Sequence, residues 1–383
     1  MRYGLENTED LRMLLISDLG QKARCFKMNA QKFPITVVVP TLNAAGHLNE
    51  LLDSVEPFAE DIWIVDSRST DATVDIAINR GIKIVQRPFE SFGDCYRFLL
   101  KNIPYTTPWL FFVMQDERFS ASVVKDLDRL FNKERIPDCV DGYWVKWRLW
   151  FMGRPLHAES EVLRLLRVGR CDVTQVLADE HFLVDGEERH LKCKLEHKDT
   201  LNLHEWYEKQ NLWTTYGAMM RIKELPDEEK LTFFGTKLQR KMFLKRMLNR
   251  IPFGHFFMFW YYYIKFGAWK DGLDGWRWAK LRIWVNHVTN MKEKEMRRIG
   301  IPDRPPEAKH GDFDPRIMRS DLQRQLLPEL VKEWESRCPS GSLSRESKQI
   351  LCGSVFSTAM PAGCGISGRG SGTVASSTAR LQS

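Results

Sequence analysis

Ile35-Thr36-Val37-Val38-Val39-Pro40-Thr41-Leu42-Asn43 is an apolar run that stops in short polar residues. A second run, Ile62-Trp63-Ile64-Val65, stops at Asp66-Ser67-Arg68-Ser69-Thr70-Asp71-Ala72-Thr73. Runs of β-branched and aromatic residues bounded by turn formers read as strands. In a parallel α/β sheet, ligands gather at the carboxyl ends of the strands. Both ends here carry small polar groups. One carries a carboxylate, Asp66, suited to a ribose hydroxyl or a base edge. The stretch therefore points to a nucleotide before any catalytic residue is considered.

Strand and helix alternate outward from there over residues 35–120, the pattern of an α/β fold with a mostly parallel sheet and flanking helices. A first crossover over Ala45–Phe58 carries Leu48, Leu51, Leu52 and Val55 at helical spacing. A second starts near Thr70, with Ser69, Thr70 or Asp71 as its cap. Further strands are expected at Lys83–Gln86 and Trp109–Met114, with a helix around Asp94–Lys101 between them. The alternating aromatic stretch 142–151 predicts a half-buried strand, and residues 161–195 predict short strands with loops. From Leu203 to about Gly300 the pattern is helical. The expected units are an arm over 1–33, a catalytic domain over 34–200, a helical basic and aromatic region over 201–300, a helical extension over 301–338 and a tail over 339–383. The tail is rich in Ser, Gly, Thr and Ala, without periodicity, which predicts disorder.

The chain has 383 residues and a hydrophobic fraction of 43%, enough for a large core. None of its eight cysteines forms a CxxC pair, and their spacing fits neither a zinc site nor a disulfide framework. Buried thiols in a reducing compartment are expected. Met13–Ile16 is too short an apolar stretch for a signal peptide, and it follows acidic residues. The formal charge of +7 is uneven: Lys237–Arg298 holds fifteen Lys and Arg against four Asp and Glu. One surface is therefore expected to meet an anionic partner.

The fourth strand runs out at Met114-Gln115-Asp116-Glu117. A carboxylate pair at a strand end, beside a nucleotide pocket, suits a divalent cation bridging a diphosphate. In this order, Pro40-x-x-Asn43, Asp66-x-x-Ser69-x-Asp71-x-Thr73 and Met114–Glu117 resemble the motifs of family 2 glycosyltransferases with the GT-A, Rossmann-like fold. The resemblance covers roughly residues 35–200. It extends to Gly153-Arg154-Pro155, Arg164–Arg170, Asp179-Glu180-His181, Val184-Asp185-Gly186 and His197-Lys198-Asp199. These are similar to the bacterial enzymes that extend lipopolysaccharide core, capsule or exopolysaccharide.

The resemblance implies roles. Pro40, Thr41 and Asn43 would line the nucleoside pocket of a nucleotide-sugar donor, with Ser69 beside them and Asp66 on the base or ribose. Asp116 would lie near the diphosphate and a divalent cation, Mg²⁺ or Mn²⁺, with Glu117 as a second candidate ligand. Glu180 would be the general base of an inverting transfer, with His181 either orienting it or structural. Three departures stand out. Ala44 and Ala45 replace an acidic residue after Asn43, Met114 stands at the first acidic position, and Tyr96-Arg97 replaces a Lys-Asn pair. Metal use stays open, and so does a rival reading, a degenerate binding protein on the same fold. Arg164, Arg167 and Arg170 are expected either at a solvated rim or on an anionic ligand.

Residues 251–264 hold eleven aromatic or large apolar side chains beside Lys245, Arg246, Arg250, Lys265 and Lys270. The stretch is too short to span a bilayer. Trp, Tyr, Lys and Arg together favour a membrane interface, so a C-terminal membrane-associating region is expected. The alternative is a core helix packed on the catalytic domain. Nucleic acid is not expected, because no recognition motif accompanies the charge. The implied acceptor is a lipid-linked glycan, reached from the cytoplasmic face of a bacterial inner membrane.

Overall fold

The computed structural model describes residues 32–174, 181–198, 202–222, 254–302 and 310–337, together with residues 234, 240, 243–244, 247–248 and 251. Most of the predicted arm, all of the predicted tail, and Asp179 and Glu180 lie outside the described residues. The chain divides into two compact units, 1–332 and 333–383. Of the second, the end of one helix is described.

An eight-stranded mixed sheet has the order β3-β2-β1-β4-β7-β6-β10-β5. Its parallel half comprises β1 (Phe33–Thr41), β2 (Ala59–Asp66), β3 (Lys83–Gln86) and β4 (Trp109–Phe112). Strand β1 shows why its sequence is unbroken Ile, Val and Thr. Ile35, Val37 and Val39 enter one apolar cluster and Val38 enters the other, so both faces are buried. Helices α1 (Ala45–Val55), α2 (Thr73–Asn79) and α3 (Phe92–Asn102) cover those faces. In α1 the four apolar positions predicted by spacing are the four that are buried. Ser91 caps α3 by accepting the Asp94 N–H at 3.0 Å.

The antiparallel half differs from the expectation of short strands. After β5 (Glu117–Arg118) and α4 (Ala121–Asp128), β6 (Val140–Phe151) and β7 (Arg154–Arg167) form a long hairpin turned by Met152 and Gly153, both at positive φ. Strands β8 (Cys171–Val173) and β9 (Phe182–Val184) pair in a small second sheet, and β10 (Glu187–His197) returns to the large one. β10 runs parallel to β6 and antiparallel to β5. Among the described residues the free cysteines Cys95, Cys171 and Cys193 are buried, as expected, whereas Cys139 is exposed. Burial pushes the Cys193 thiol up to about 12 and that of Cys171 to about 11, so neither is a thiolate at neutral pH.

Helices α5 (Leu203–Ile222), α6 (Gly254–Trp260) and α7 (Gly272–Ile299) follow. Lys292 on α7 anchors α5: its ammonium donates to the Asn211 carbonyl at 2.6 Å, Asn211 Oδ1 at 2.7 Å, Thr214 at 2.9 Å and Thr215 at 2.8 Å. Trp213 of α5 stacks on Phe92 of α3 at 5.0 Å. Thus α7 fixes α5, and α5 lies against the parallel half. The chain then reaches α8 (Pro315–Met318), α9 (Asp321–Leu326) and α10 (Pro328–Arg337). Leu322, Leu326 and Leu327 pack on the core near β3, so the outer edge of the sheet is covered.

Candidate active site at the strand ends

Register sets the first part of the site. Thr41 lies beside Asp66, and Asp66 beside Gln86, so three strand ends finish level. Asp66 is fully buried. Its Oδ1 accepts from the Thr41 hydroxyl at 3.0 Å and the Ser69 hydroxyl at 2.5 Å. Its Oδ2 accepts from the Ser69 N–H at 2.9 Å and Gln86 Nε2 at 2.8 Å. Four donors balance the cost of burying the charge. Asp66 therefore lies in the floor of the cleft, and a nucleoside would reach it only by displacing one of those donors.

The remaining polar residues of the second loop hold the first loop in place. Asn43 takes positive φ, 51°, which turns the chain from β1 into α1. Its N–H donates to Ser69 Oγ at 2.8 Å, and its Oδ1 accepts the Thr70 N–H at 2.8 Å. The Ala44 N–H donates to Thr73 Oγ1 at 2.8 Å, and the Ala45 N–H to Asp71 Oδ2 at 2.9 Å. Amides at the start of α1 are thus satisfied by side chains from the β2–α2 loop. The N-cap of α2 is Ala72 and not Ser69, Thr70 or Asp71, although Asp71 Oδ1 accepts the Thr73 N–H at 3.0 Å. Pro40 and Thr41 sit at the same strand end, with Thr41 buried.

The end of β4 carries the second part. The Leu42 N–H donates to Gln115 Oε1 at 2.9 Å, joining the two parts. Asp116 is 5% exposed. Its Oδ2 accepts from Lys209 Nζ of α5 at 2.7 Å, and His197 Nδ1 stands 3.6 Å from its Oδ1. Burial alone would raise its pKa, but Lys209 and His197 outweigh that and hold the carboxyl well below the usual range. Arg118 is buried next to it, donating to the Gln115 and Glu117 carbonyls and 3.3 Å from His47 Nδ1. Burial and the Arg118 charge push the His47 pKa down. Lys198 and Glu50 form an ion pair at the rim, 2.5 Å apart.

Glu117 corrects an expectation. It has no exposed surface, and its Oε1 accepts from Trp147 Nε1 at 2.6 Å and Arg164 at 2.8 Å. Its Oε2 accepts the Met114 N–H at 2.9 Å. The carboxylate offered as a second cation ligand is thus spent on a buried network. The arginines at spacing three are corrected likewise. Arg164 serves Glu117, while Arg167 and Arg170 face the buried Asp141 at 3.0 and 3.5 Å. Arg164 and Arg167 stand three apart on β7 and so point to opposite faces, whereas Arg170, beyond the strand, keeps its side chain 57% exposed at the rim. Arg97 pairs at the surface with Asp172 at 3.4 Å. Tyr96 places its hydroxyl 3.1 Å from Met114 Sδ, so the methionine at the first acidic position is held in the core wall.

For Mg²⁺ or Mn²⁺, which bind through one or two carboxylates together with substrate phosphates and water, these residues offer little beyond Asp116. Asp116 contributes one carboxylate that already carries an ammonium, and Glu117 is occupied. Among the described residues no three His, Cys, Asp or Glu side chains are grouped to hold a metal. The base candidate Glu180 lies outside the described residues, and the adjacent His181 begins β9's approach, its N–H donating to Thr174 Oγ1 at 2.9 Å. In Val184-Asp185-Gly186 the glycine has a packing reason. A Cβ there would lie 2.3 Å from the Cys139 carbonyl oxygen. A cavity of about 130 Å³ opens elsewhere, among Arg129, Glu134, Tyr143 and His190, and shares no residue with the strand-end cluster.

Comparison with known proteins agrees with the motif order. A Rickettsia bellii protein named as an uncharacterized glycosyltransferase is 29% identical over 103 residues, 26% of this chain and 33% of that one. A Rickettsia felis protein of the same name is 26% identical over 104 residues, 26% of this chain and 36% of that one. Over this stretch of about a hundred residues the chain is similar to proteins named as glycosyltransferases. The match spans about a third of the length of these curated relatives. No protein-family model matches the chain. Among solved structures, Staphylococcus aureus TarS 1–349 aligns with TM-score 0.31 and 14% identity, over 72% of this chain and 93% of that one. Mycobacterium tuberculosis glucosyl-3-phosphoglycerate synthase with Mn²⁺ and UDP-glucose aligns with TM-score 0.24 and 20% identity, over 34% of this chain and 47% of that one. The sheet order is that of an α/β fold with a parallel half and flanking helices, as the alternation of strand and helix predicted.

No local pattern marks Lys209, Gln86 or His47. Each is an ordinary polar residue in its local context, and only their tertiary neighbours give them a role. His197 and Lys198 were singled out in a motif, without a function.

The basic aromatic region has two faces. Met258, Tyr262, Ala268, Trp278 and Ala279 pack with Phe151, Leu156 and Ala158 of the β6–β7 hairpin. Phe256, Phe257, Trp260, Tyr261, Ile264, Trp269 and Leu273 are exposed. Lys270 and Lys280 lie over the rings of Trp269 and Trp276. Among the described residues no helix is long and apolar enough to cross a membrane.

Proposed function

We propose that the protein is an inverting glycosyltransferase that uses a nucleotide-sugar donor. The observation that carries the reading is the convergence of three strand ends. The Pro40–Asn43 and Asp66–Thr73 loops are bonded into one floor, and Asp116 joins it through Gln115. Such a crevice at the carboxyl ends of parallel strands is where a nucleotide binds in this architecture. The acceptor hydroxyl oxygen attacks the anomeric carbon as the bond from that carbon to the diphosphate oxygen breaks. The electron pair leaves with the nucleoside diphosphate. The hydroxyl proton passes to a carboxylate on the opposite face, the role assigned to Glu180.

The acceptor in this reading is a lipid-linked glycan, and the site of action is the cytoplasmic face of a bacterial inner membrane. Support comes from the exposed aromatic side chains of residues 256–276 and their neighbouring cations. An apolar patch bordered by Lys and Arg suits a headgroup interface. Flotation on phosphatidylglycerol vesicles, lost with Trp260→Ser and Phe257→Ser together, tests this. Equal flotation of the variant would remove the membrane part.

Donor hydrolysis and sugar transfer by the purified protein test the activity. Asp116→Ala and Glu180→Gln are expected to lose at least a hundredfold, and Asp66→Ala to lose donor binding through collapse of the floor. Full activity in all three would refute the assigned site. The rival reading, a binding protein of degenerate site, draws on Met114 and on Ala44 and Ala45. It predicts no turnover with any donor, whether or not nucleotide binds.

A further inference from the structure

The carboxylate at the end of β4 already has a cationic partner, and it comes from the chain. Lys209 Nζ lies 2.7 Å from Asp116 Oδ2. Three more basic side chains, His47, Arg118 and His197, act on the same carboxylate or on each other. The Nδ1 of His197 is buried and makes no hydrogen bond. Trp147 stacks on its ring at 4.7 Å and holds it there. Glu50 and Glu205 face the cluster as well, but Glu50 is taken up by Lys198 and Arg118.

We propose that Lys209 supplies the positive charge for the donor diphosphate and that the protein binds nucleoside diphosphates without a divalent cation. The inference rests on the transferase reading above and deepens it. Asp116 then positions the lysine instead of ligating a metal. The Lys209 side chain keeps 31% of its surface exposed while bonded to Asp116. An ammonium has three donor hydrogens, enough for a carboxylate and a phosphate oxygen together. As the anomeric bond breaks, the leaving diphosphate gains a negative charge. Lys209 offsets it where it forms, and no co-reactant is required.

The arrangement is built in by packing. Lys292 and Trp213 hold α5 against the parallel half of the sheet, and the Lys198 N–H donates to the Asp116 carbonyl at 2.8 Å from the other side. The lysine therefore presents a fixed charge, whereas a flexible surface lysine would lose much of its value to ordering.

Calorimetry on the full chain with UDP, GDP and uridine, in EDTA and in Mn²⁺, tests the proposal. UDP or GDP is expected to bind in EDTA within about threefold of its affinity in Mn²⁺. Lys209→Gln is expected to weaken the diphosphate at least tenfold and leave uridine within twofold. Lys209→Arg, which keeps the charge, is expected to retain most of the affinity, and thermal melts confirm that each variant is folded. Binding of a diphosphate only with Mn²⁺ overturns the proposal while leaving the transferase reading intact. So does Lys209→Gln binding as the wild type does. Failure of every nucleotide to bind under either condition overturns both.

Discussion

Gln323 pairs with the backbone of Gln86 as a neighbouring strand would. Its Oε1 accepts the Gln86 N–H at 2.9 Å and its Nε2 donates to the Gln86 carbonyl at 2.7 Å, across 237 positions of sequence. The Gln86 side chain meanwhile donates to Asp66 and accepts the Asp314 N–H at 2.7 Å. One residue of the C-terminal extension thus closes the sheet edge behind the cleft floor.

Removing that side chain should be costly. Gln323→Ala leaves a buried N–H and a buried carbonyl of β3 unpaired, at about 1–3 kcal/mol each, less whatever water recovers. We expect a loss of about 2–4 kcal/mol in urea unfolding. A loss below 0.5 kcal/mol would mean that water or a shifted α9 restores both bonds.

The Glu117–Arg164 pair makes a sharper case. Arg164→Ala strands a fully buried carboxylate, which typically costs about 3–5 kcal/mol. Glu117→Gln in the same background removes the stranded charge and keeps an oxygen for the Trp147 indole. The double variant should therefore be more stable than Arg164→Ala alone by at least about 1 kcal/mol. The opposite order would show that the charge is not what Arg164 offsets.

Asp116 makes the stability depend on acid. Its folded pKa is depressed by Lys209 and His197 against the effect of burial, so the unfolded chain binds the proton more readily. The stabilisation is complete above the ordinary aspartate value near 3.9 and disappears as pH falls through the lower folded value. Asp116→Asn should therefore be less stable at pH 7, by at least about 1 kcal/mol, and should lose less on acidification below pH 4. Parallel pH profiles of the two proteins would contradict the ion pair.

Gly275 is held by close approach. A Cβ there would lie 1.8 Å from the Ala268 carbonyl oxygen, in the turn that leads into α7. Asp271 on the same turn accepts the His157 N–H at 2.8 Å, which ties the turn to the β6–β7 hairpin. Gly275→Ala should cost about 2 kcal/mol, in the range of overpacking. Near-ultraviolet circular dichroism should report the shift of Trp276 and Trp278. An unchanged spectrum and melting point would argue that the turn relaxes freely.

Several features were legible because they depend on local pattern. Apolar runs bounded by polar residues revealed β1 to β4, helical spacing revealed α1, and the order of the strand-end motifs pointed to the similarity to glycosyltransferases. The long β6–β7 hairpin was only half visible, since its second strand carries Arg, Glu and His on a face that meets β10 and the basic cluster. Arg164, Arg167 and Arg170 misled for the same reason: spacing says nothing of which face a strand residue takes until its partners are known.

Sequence alone determined which polar residues stand at the strand ends, because a buried parallel strand must be apolar and must stop where its loop turns polar. Tertiary structure decided what each of those residues does. Asp66 and Glu117 became internal anchors, and Asp116 met a lysine, because a carboxylate's role follows from the donors folded against it, and most of these arrive from 20 to 93 positions away.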